Sequence, residues 1–305
     1  MLKDLPPNAT KRWKGEKLAQ VAKIAREKGI ASMHPRTSNG YLSKISTLMN
    51  WALDEGYVDR NQAKGLRVAG PKGSRKDDRD PFTPEQLKAI FDDNTFTDPS
   101  RPRNAAFWLP LLALFTGARL NELCQLKADD VVEYDGVHCL IIRKVDPQDR
   151  LKSKAAHRTI PLHPELVRLG FLDHVEQVRK SGGGRLFPDI PLGEDGYYSS
   201  IFSKRFSRFL KKSNAKTEKT GFHSLRHNMT MALREGGVPA DRIRELMGWA
   251  GQGMEESTYG SSLRARTLLK EIRKGKYPVD LSHLCSNSGA PSGTTSENGG
   301  DDPVG

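Results

Sequence analysis

Residues 68–82, VAGPKGSRKDDRDPF, hold glycine, proline and charge but no periodic apolar position. A stretch of that composition cannot bury a face, so it reads as a linker and divides the chain into two folding parts. The 305 residues suffice for one large domain or two ordinary ones, and the linker selects two.

Residues 1–67 read as a small all-helical domain. EKLAQVAKIAREKGI places Leu18, Val21, Ala22 and Ile24 or Ala25 at helix spacing, with Gly29 as a stop. SNGYLSKISTLMNWALDEGYV repeats the pattern with Leu42, Ile45, Leu48, Met49 and Ala52, capped by Ser38 and ended by Gly56. No strand pattern interrupts them.

The second domain is expected over 83–275. TPEQLKAIFDD opens it with Thr83 at an N-cap and Pro84 in the first turn. NAAFWLPLLALFTGARLNELCQL is an apolar segment broken at Thr116–Gly117 and followed by another helix. GVHCLIIRK and RTIPLH are β-rich and flank the polar residues 145–157, the pattern of a hairpin or small sheet. Helices follow at 163–180, 198–212, 223–234 and 240–248. Residues 276–305, ending SNSGAPSGTTSENGGDDPVG, read as a disordered tail. The fold class is therefore mainly α with a small β-sheet: a helical N-terminal domain plus a mixed α/β domain.

Charge points to a partner. The net charge is +12, divided as +8 over residues 1–80, +7 over 81–285 and −3 over the last twenty. Basic charge on both folded parts suits a polyanion, foremost nucleic acid. Cys124, Cys139 and Cys285 have no metal-site spacing, and the first two lie in apolar runs as buried thiols suited to a reducing cytosol. No secretory leader opens the chain and no apolar run reaches membrane-span length.

Four segments carry chemistry. In GFHSLRHNMTMAL, His223, Arg226 and His227 at i, i+3 and i+4 share one face near a helix start. Positive charge is unfavourable there unless an anion docks. In FTGARLNELCQL, Gly117 lets the backbone turn, and Arg119 and Glu122 pair at i, i+3; alone, this is a surface ion pair worth a few tenths of a kcal/mol. In RLKSKAAHRTIPLH, Lys152 and Lys154 lie in a polar turn that suits a proton donor, though an isolated pair of lysines reads more simply as a solvated loop. In GWAGQGMEESTYG, Trp249 follows an apolar helix and Tyr259 lies in a Gly-flanked segment, either a packing ring or a nucleophile.

Each piece is weak, but their order resembles the active-site series of the tyrosine recombinases, the phage integrase family. TGARLNEL resembles the first arginine box, LKSKAAHRTIPLHPEL the lysine hairpin, HSLRH the H-x-x-R box, and LMGW and STYG the last two elements. YLSKISTLMNWALDEGYVDRN is similar to the core-binding domain, which implies a SAM-like N-terminal domain on residues 1–67. The resemblance spans about residues 10–265.

It implies that Tyr259 attacks a DNA phosphodiester, forming a 3′-phosphotyrosyl bond and releasing a 5′-hydroxyl. Arg119 and Arg226 would bind the phosphate oxygens, and His223 would accept the tyrosine proton or hold it nearby. Lys152, preferred to Lys154 for its offset to Pro161, would protonate the leaving oxygen. Trp249 would donate its indole N–H where many members carry His. Glu122 and His227 would support these groups.

No metal and no cofactor is implied. Implied partners are double-stranded DNA at attachment or recombination sites, a homotetramer on that DNA, and accessory DNA-bending or directionality proteins, with no membrane. The implied location is cytoplasmic and nucleoid-associated, in a protein encoded by a bacterium or phage. A type IB topoisomerase-like strand-transfer enzyme and an inactive DNA-binding regulator are the alternatives.

Overall fold

The computed structural model describes residues 2–70, 79–144, 157–249 and 262–284. The chain divides into two units, Met1–Asp78 and Arg79–Gly305. Val68 still belongs to the first, since its backbone N–H and carbonyl pair with the Asn39 amide at 2.8 and 3.0 Å. Phe82 belongs to the second, buried and paired both ways with the Asn228 amide. The expected linker thus contributes its ends to the two units, and its centre, 71–78, lies outside the described residues.

The first unit comprises α1 (Ala9–Arg12), α2 (Leu18–Glu27) and α3 (Pro35–Asp54). Leu5, Ala9, Val21 and Ala22 form a small core with Leu2, Trp13 and Met33 packed on it. Gly29, at φ +60°, ends α2 as expected, while the Ile30 N–H reaches back to the Ala25 carbonyl at 2.8 Å. The start of α3 differs from expectation. His34 is its cap, with Nδ1 accepting from the Arg36 N–H at 3.2 Å and Pro35 in the first turn, so Ser38 lies inside the helix, fully buried. The packing face also differs: Ile45 and Leu48 are exposed, with Tyr41 and Trp51 beside them, because only the Ser38 position of α3 is buried among the described residues.

The second unit opens with α4 (Pro84–Phe91), held by a capping box in which Thr83 Oγ1 accepts from the Gln86 N–H and Gln86 Oε1 from the Thr83 N–H. After α5 (Asn94–Thr97) comes α6 (Ala105–Thr116), apolar on every side and buried from end to end except at Ala106. A helix without a polar face must lie at the centre, and α6 does. Then come α7 (Leu120–Cys124) and a sheet of β1 (Val131–Tyr134), β2 (Val137–Ile142) and β3 (Arg158–Pro161), ordered β1-β2-β3 and antiparallel throughout. The expected β2–β3 pairing is present. β1 adds a strand, joined to β2 through Asp135-Gly136, both at positive φ.

The helix expected over 163–180 is two, α8 (Pro164–Arg168) and α9 (Phe171–Lys180), because Gly170 takes φ +87° between them. α10 (Ser199–Lys212), α11 (Phe222–Glu235), α12 (Ala240–Met247) and α13 (Ser262–Arg273) follow; α13 was not anticipated. Residues 276–284 are also no disordered tail. Leu281 and Leu284 are buried in the core, Tyr277 and Val279 pack on it, and Arg168 donates to the Leu281 and Leu284 carbonyls at 2.8 and 3.1 Å. Cys124 and Cys139 are buried free thiols, as expected. No helix among the described residues is long and apolar enough to cross a membrane.

His163 caps α8, with Nδ1 accepting from the Glu165 N–H at 3.1 Å, and stacks on Phe115 at 4.5 Å. Burial presses its imidazolium down to about 4 from an ordinary 6.5; Glu165 opposes this and Arg273 assists. The unfolded chain therefore binds the extra proton between those values. Stability is complete above pH 6.5 and falls as the pH drops toward 4, by up to about 3 kcal/mol from this group. His163→Asn keeps a capping oxygen, and its melting temperature should decline less than the parent's over that window.

Candidate active site

The site begins at the turn between α6 and α7. Gly117 ends α6 at φ +61°, a conformation that strains any residue with a side chain, and a Cβ there would lie 2.6 Å from Met247 Cε and 2.9 Å from Met229 Sδ, so both methionines would have to shift. Arg119 occupies the N-cap of α7. Its N–H donates to Glu122 Oε2 at 2.9 Å and its Nη1 to Oε1 at 2.6 Å. The Arg119 side chain is 22% exposed and that of Glu122 only 2%. The pair is thus not the surface pair its spacing suggests: the carboxylate is buried, and it orients a guanidinium that keeps one edge open.

A second arginine reaches the same carboxylate. Arg158, first residue of β3, donates from Nη2 to Glu122 Oε2 at 2.9 Å and from Nε to the Leu246 carbonyl at 2.8 Å. Burial works to raise the Glu122 carboxyl, but Arg158 and then Arg119 more than offset it and hold it below the usual range. Arg158 was not singled out in the sequence. One basic residue in AAHRTIP is an ordinary strand edge, and its partner lies 36 positions away.

Arg226, on α11, is also buried. Its Nη1 donates to the Gly117 carbonyl and its Nη2 to the Met247 carbonyl. Cζ lies 5.8 Å from the Trp249 ring centroid. Burial, then Arg158 and Arg119, press the Arg226 guanidinium down to about 9, with Glu122 opposing. It stays cationic at neutral pH. Two carbonyls on separate segments thus fix the plane of one forked cation against the α6–α7 turn.

His223 lies in the first turn of α11, half-buried, with its ring edge-to-face against His227 at 5.0 Å. The helix start is fixed by Ser224 Oγ, which accepts from the Gly221 N–H at 3.1 Å. Trp249 follows Gly248, whose φ of +59° ends α12, and its backbone N–H returns to the Arg244 carbonyl at 3.0 Å. The structure thus brings Arg119, Glu122, Arg226 and Trp249 together and adds Arg158; His223 and His227 share the helix that carries Arg226. Lys152, Lys154 and Tyr259 lie outside the described residues. Their neighbours in sequence are placed: Ile142 pairs with Arg158 across β2 and β3 on either side of the lysine segment, and Trp249 and α13 flank the tyrosine segment.

Arg119 is close enough for its charge to act on Arg226, which lies beside the Trp249 indole; forked guanidinium donors of this kind suit the non-bridging oxygens of a tetrahedral oxyanion.

Comparison with known proteins agrees with this arrangement. Residues 81–265 match the Phage integrase family, more than half the chain. The Tyrosine recombinase XerC-like protein of Caldanaerobacter subterraneus subsp. tengcongensis is 25% identical over 263 residues, covering 76% of this chain. The match spans 63% of that relative's length. Among solved structures, the Tn1549 transposon integrase in complex with transposon right-end DNA aligns with a TM-score of 0.52 at 19% identity, covering 83% of this chain and 84% of that one. The same integrase in complex with circular intermediate DNA gives 0.52 at 20%, covering 88% and 86%. At that identity the likeness concerns the fold, which is that of integrase catalytic domains. With the match over residues 81–265, the chain belongs to the phage integrase family, the tyrosine recombinases.

Proposed function

We propose that this protein is a site-specific DNA recombinase that cleaves and rejoins duplex DNA through a 3′-phosphotyrosyl intermediate. The observation that carries the reading is the proximity of two held guanidiniums, Arg119 oriented by Glu122 and Arg226 by the Gly117 and Met247 carbonyls. On this reading both donate to the phosphate's non-bridging oxygens, which gain charge as the attack proceeds.

The Tyr259 oxygen attacks phosphorus, and the bond from phosphorus to the 5′-oxygen breaks. His223 takes or holds the tyrosine proton, and the start of α11 adds positive potential. Lys152 gives a proton to the leaving 5′-oxygen. Trp249 donates its indole N–H to the phosphate, and because indole does not titrate at ordinary pH it supplies a hydrogen bond without proton shuttling. The phosphotyrosyl bond conserves the phosphodiester energy, so the reverse attack by a 5′-hydroxyl rejoins strands without ATP. The helical domain on residues 1–67 and the catalytic domain both bind the duplex, in keeping with the basic charge of both parts. Exchange between two duplexes needs four sites, hence a tetramer on DNA, with accessory proteins setting direction.

A nicked duplex that loses a short 5′-fragment on cleavage tests the reading, since a denaturation-resistant adduct separates an enzyme from an inactive regulator. A two-site exchange assay then separates a recombinase from a type IB topoisomerase. Lys152→Ala should slow adduct formation on an ordinary phosphodiester by about 10²-fold or more, the usual worth of a positioned general acid. It should cleave a substrate with a 5′-bridging sulfur nearly as fast as the parent, because a thiolate leaves without protonation. Rescue in Lys154→Ala instead would move the role to that residue.

A further inference from the structure

We infer that Arg158 is a positioning residue that sets the charge Arg119 offers a phosphate, by sharing the Glu122 carboxylate with it. The inference rests on the phosphoryl-transfer reading above. Glu122 Oε1 faces Arg119 Nη1, while Oε2 receives the Arg119 N–H and Arg158 Nη2 at 2.9 Å each. The Arg158 and Glu122 side chains are 3% and 2% exposed, so water screens neither.

Among the described residues, three guanidiniums and one carboxylate leave the cluster with an excess of two positive charges. Remove Arg158, and the same buried carboxylate has Arg119 as its nearest cation. It then neutralises the group meant for the phosphate. The Nε bond to the Leu246 carbonyl fixes where Arg158 stands, and the next carbonyl, that of Met247, holds Arg226. β3 thereby ties both phosphate-binding arginines to the strand pair from which the Lys152 segment departs.

A purely structural bridge and a charge-sharing one differ in their response to a second substitution. In single turnover on the nicked duplex, Arg158→Gln should slow adduct formation by about 10²-fold, near the worth of one oriented donor to the transition state. Adding Glu122→Gln removes the charge that quenches Arg119, so the double variant should recover about tenfold over Arg158→Gln. A double variant as slow as Arg158→Gln, or slower, overturns the inference. Arg158→Lys keeps the charge without the fork and should stay within about tenfold of the parent, which also carries the test if Arg158→Gln does not fold. A rate for Arg158→Lys as low as that of the glutamine variant, at an unchanged melting temperature, would also overturn it. Duplex affinity measured in the Tyr259→Phe background gives a readout independent of turnover. It should fall severalfold with Arg158→Gln and return with Glu122→Gln; failure to return counts against charge sharing. If the parent forms no adduct, the phosphotyrosyl reading fails by itself and the affinity series still decides the role of Arg158.

Discussion

Tyr259→Phe should bind duplex DNA as tightly as the parent and form no covalent adduct at any time or enzyme concentration. Phenylalanine keeps the ring and loses only the oxygen that would attack phosphorus, so the loss is complete rather than graded. Tyr277 is no substitute for it. Tyr277 is the nearest in sequence on the C-terminal side, but its ring lies among Phe115 and His163 at 4.7 and 5.3 Å, and burial pushes its phenol far above the ordinary value. Its hydroxyl, buried and with no hydrogen-bond partner among the described residues, cannot reach a DNA backbone while the core stays packed. Gel shift and denaturing gels on one sample check both halves of the expectation. An adduct that persists in Tyr259→Phe would move the nucleophile elsewhere.

Arg226→Lys should form the adduct about 10²–10³ times more slowly than the parent, the worth of an oriented donor at a developing oxyanion. The charge is conserved, so a loss of this size would come from geometry. The guanidinium uses Nη1 on the Gly117 carbonyl and Nη2 on the Met247 carbonyl, and its plane is fixed between two backbone segments. A lysine ammonium can satisfy one of those carbonyls or reach outward, and it carries no plane to orient. The unsatisfied carbonyl should also cost about 1–3 kcal/mol of stability, a visible drop in melting temperature. Single-turnover rates with saturating enzyme separate this loss from weakened DNA binding. A rate within threefold of the parent would remove Arg226 from the reaction.

Much of this site is written in local sequence, where the physics is local. Thr83 with Gln86 declares a helix start, Gly117 a turn at positive φ, and His223-x-x-Arg226 a helix face. What is not legible depends on distant partners. The Gly117 and Met247 carbonyls that hold Arg226 are far from it in sequence, and Glu122 looks like half of a surface pair until Arg158 arrives from β3. The α3 pattern misleads in the opposite direction: its apolar spacing is helical, yet Ile45, Leu48 and Trp51 are exposed, since spacing states the period of a face and not what covers it. α13 carries Ala265, Leu268 and Ile272 at helical spacing, all buried, so its period is as legible in the sequence as those of the helices before it. Strand β1 is only four residues, too short for alternation to declare itself.

The most direct measurement is to react the parent protein with the nicked duplex, digest it with protease and nuclease, and sequence the nucleotide-bearing peptide by mass spectrometry. The expected result is a single modified peptide with a 3′-linked nucleotide on Tyr259, alongside a released strand bearing a free 5′-hydroxyl. A nucleotide on another residue, a 5′-phosphate linkage, or tight DNA binding without any modified peptide would contradict the phosphotyrosyl mechanism.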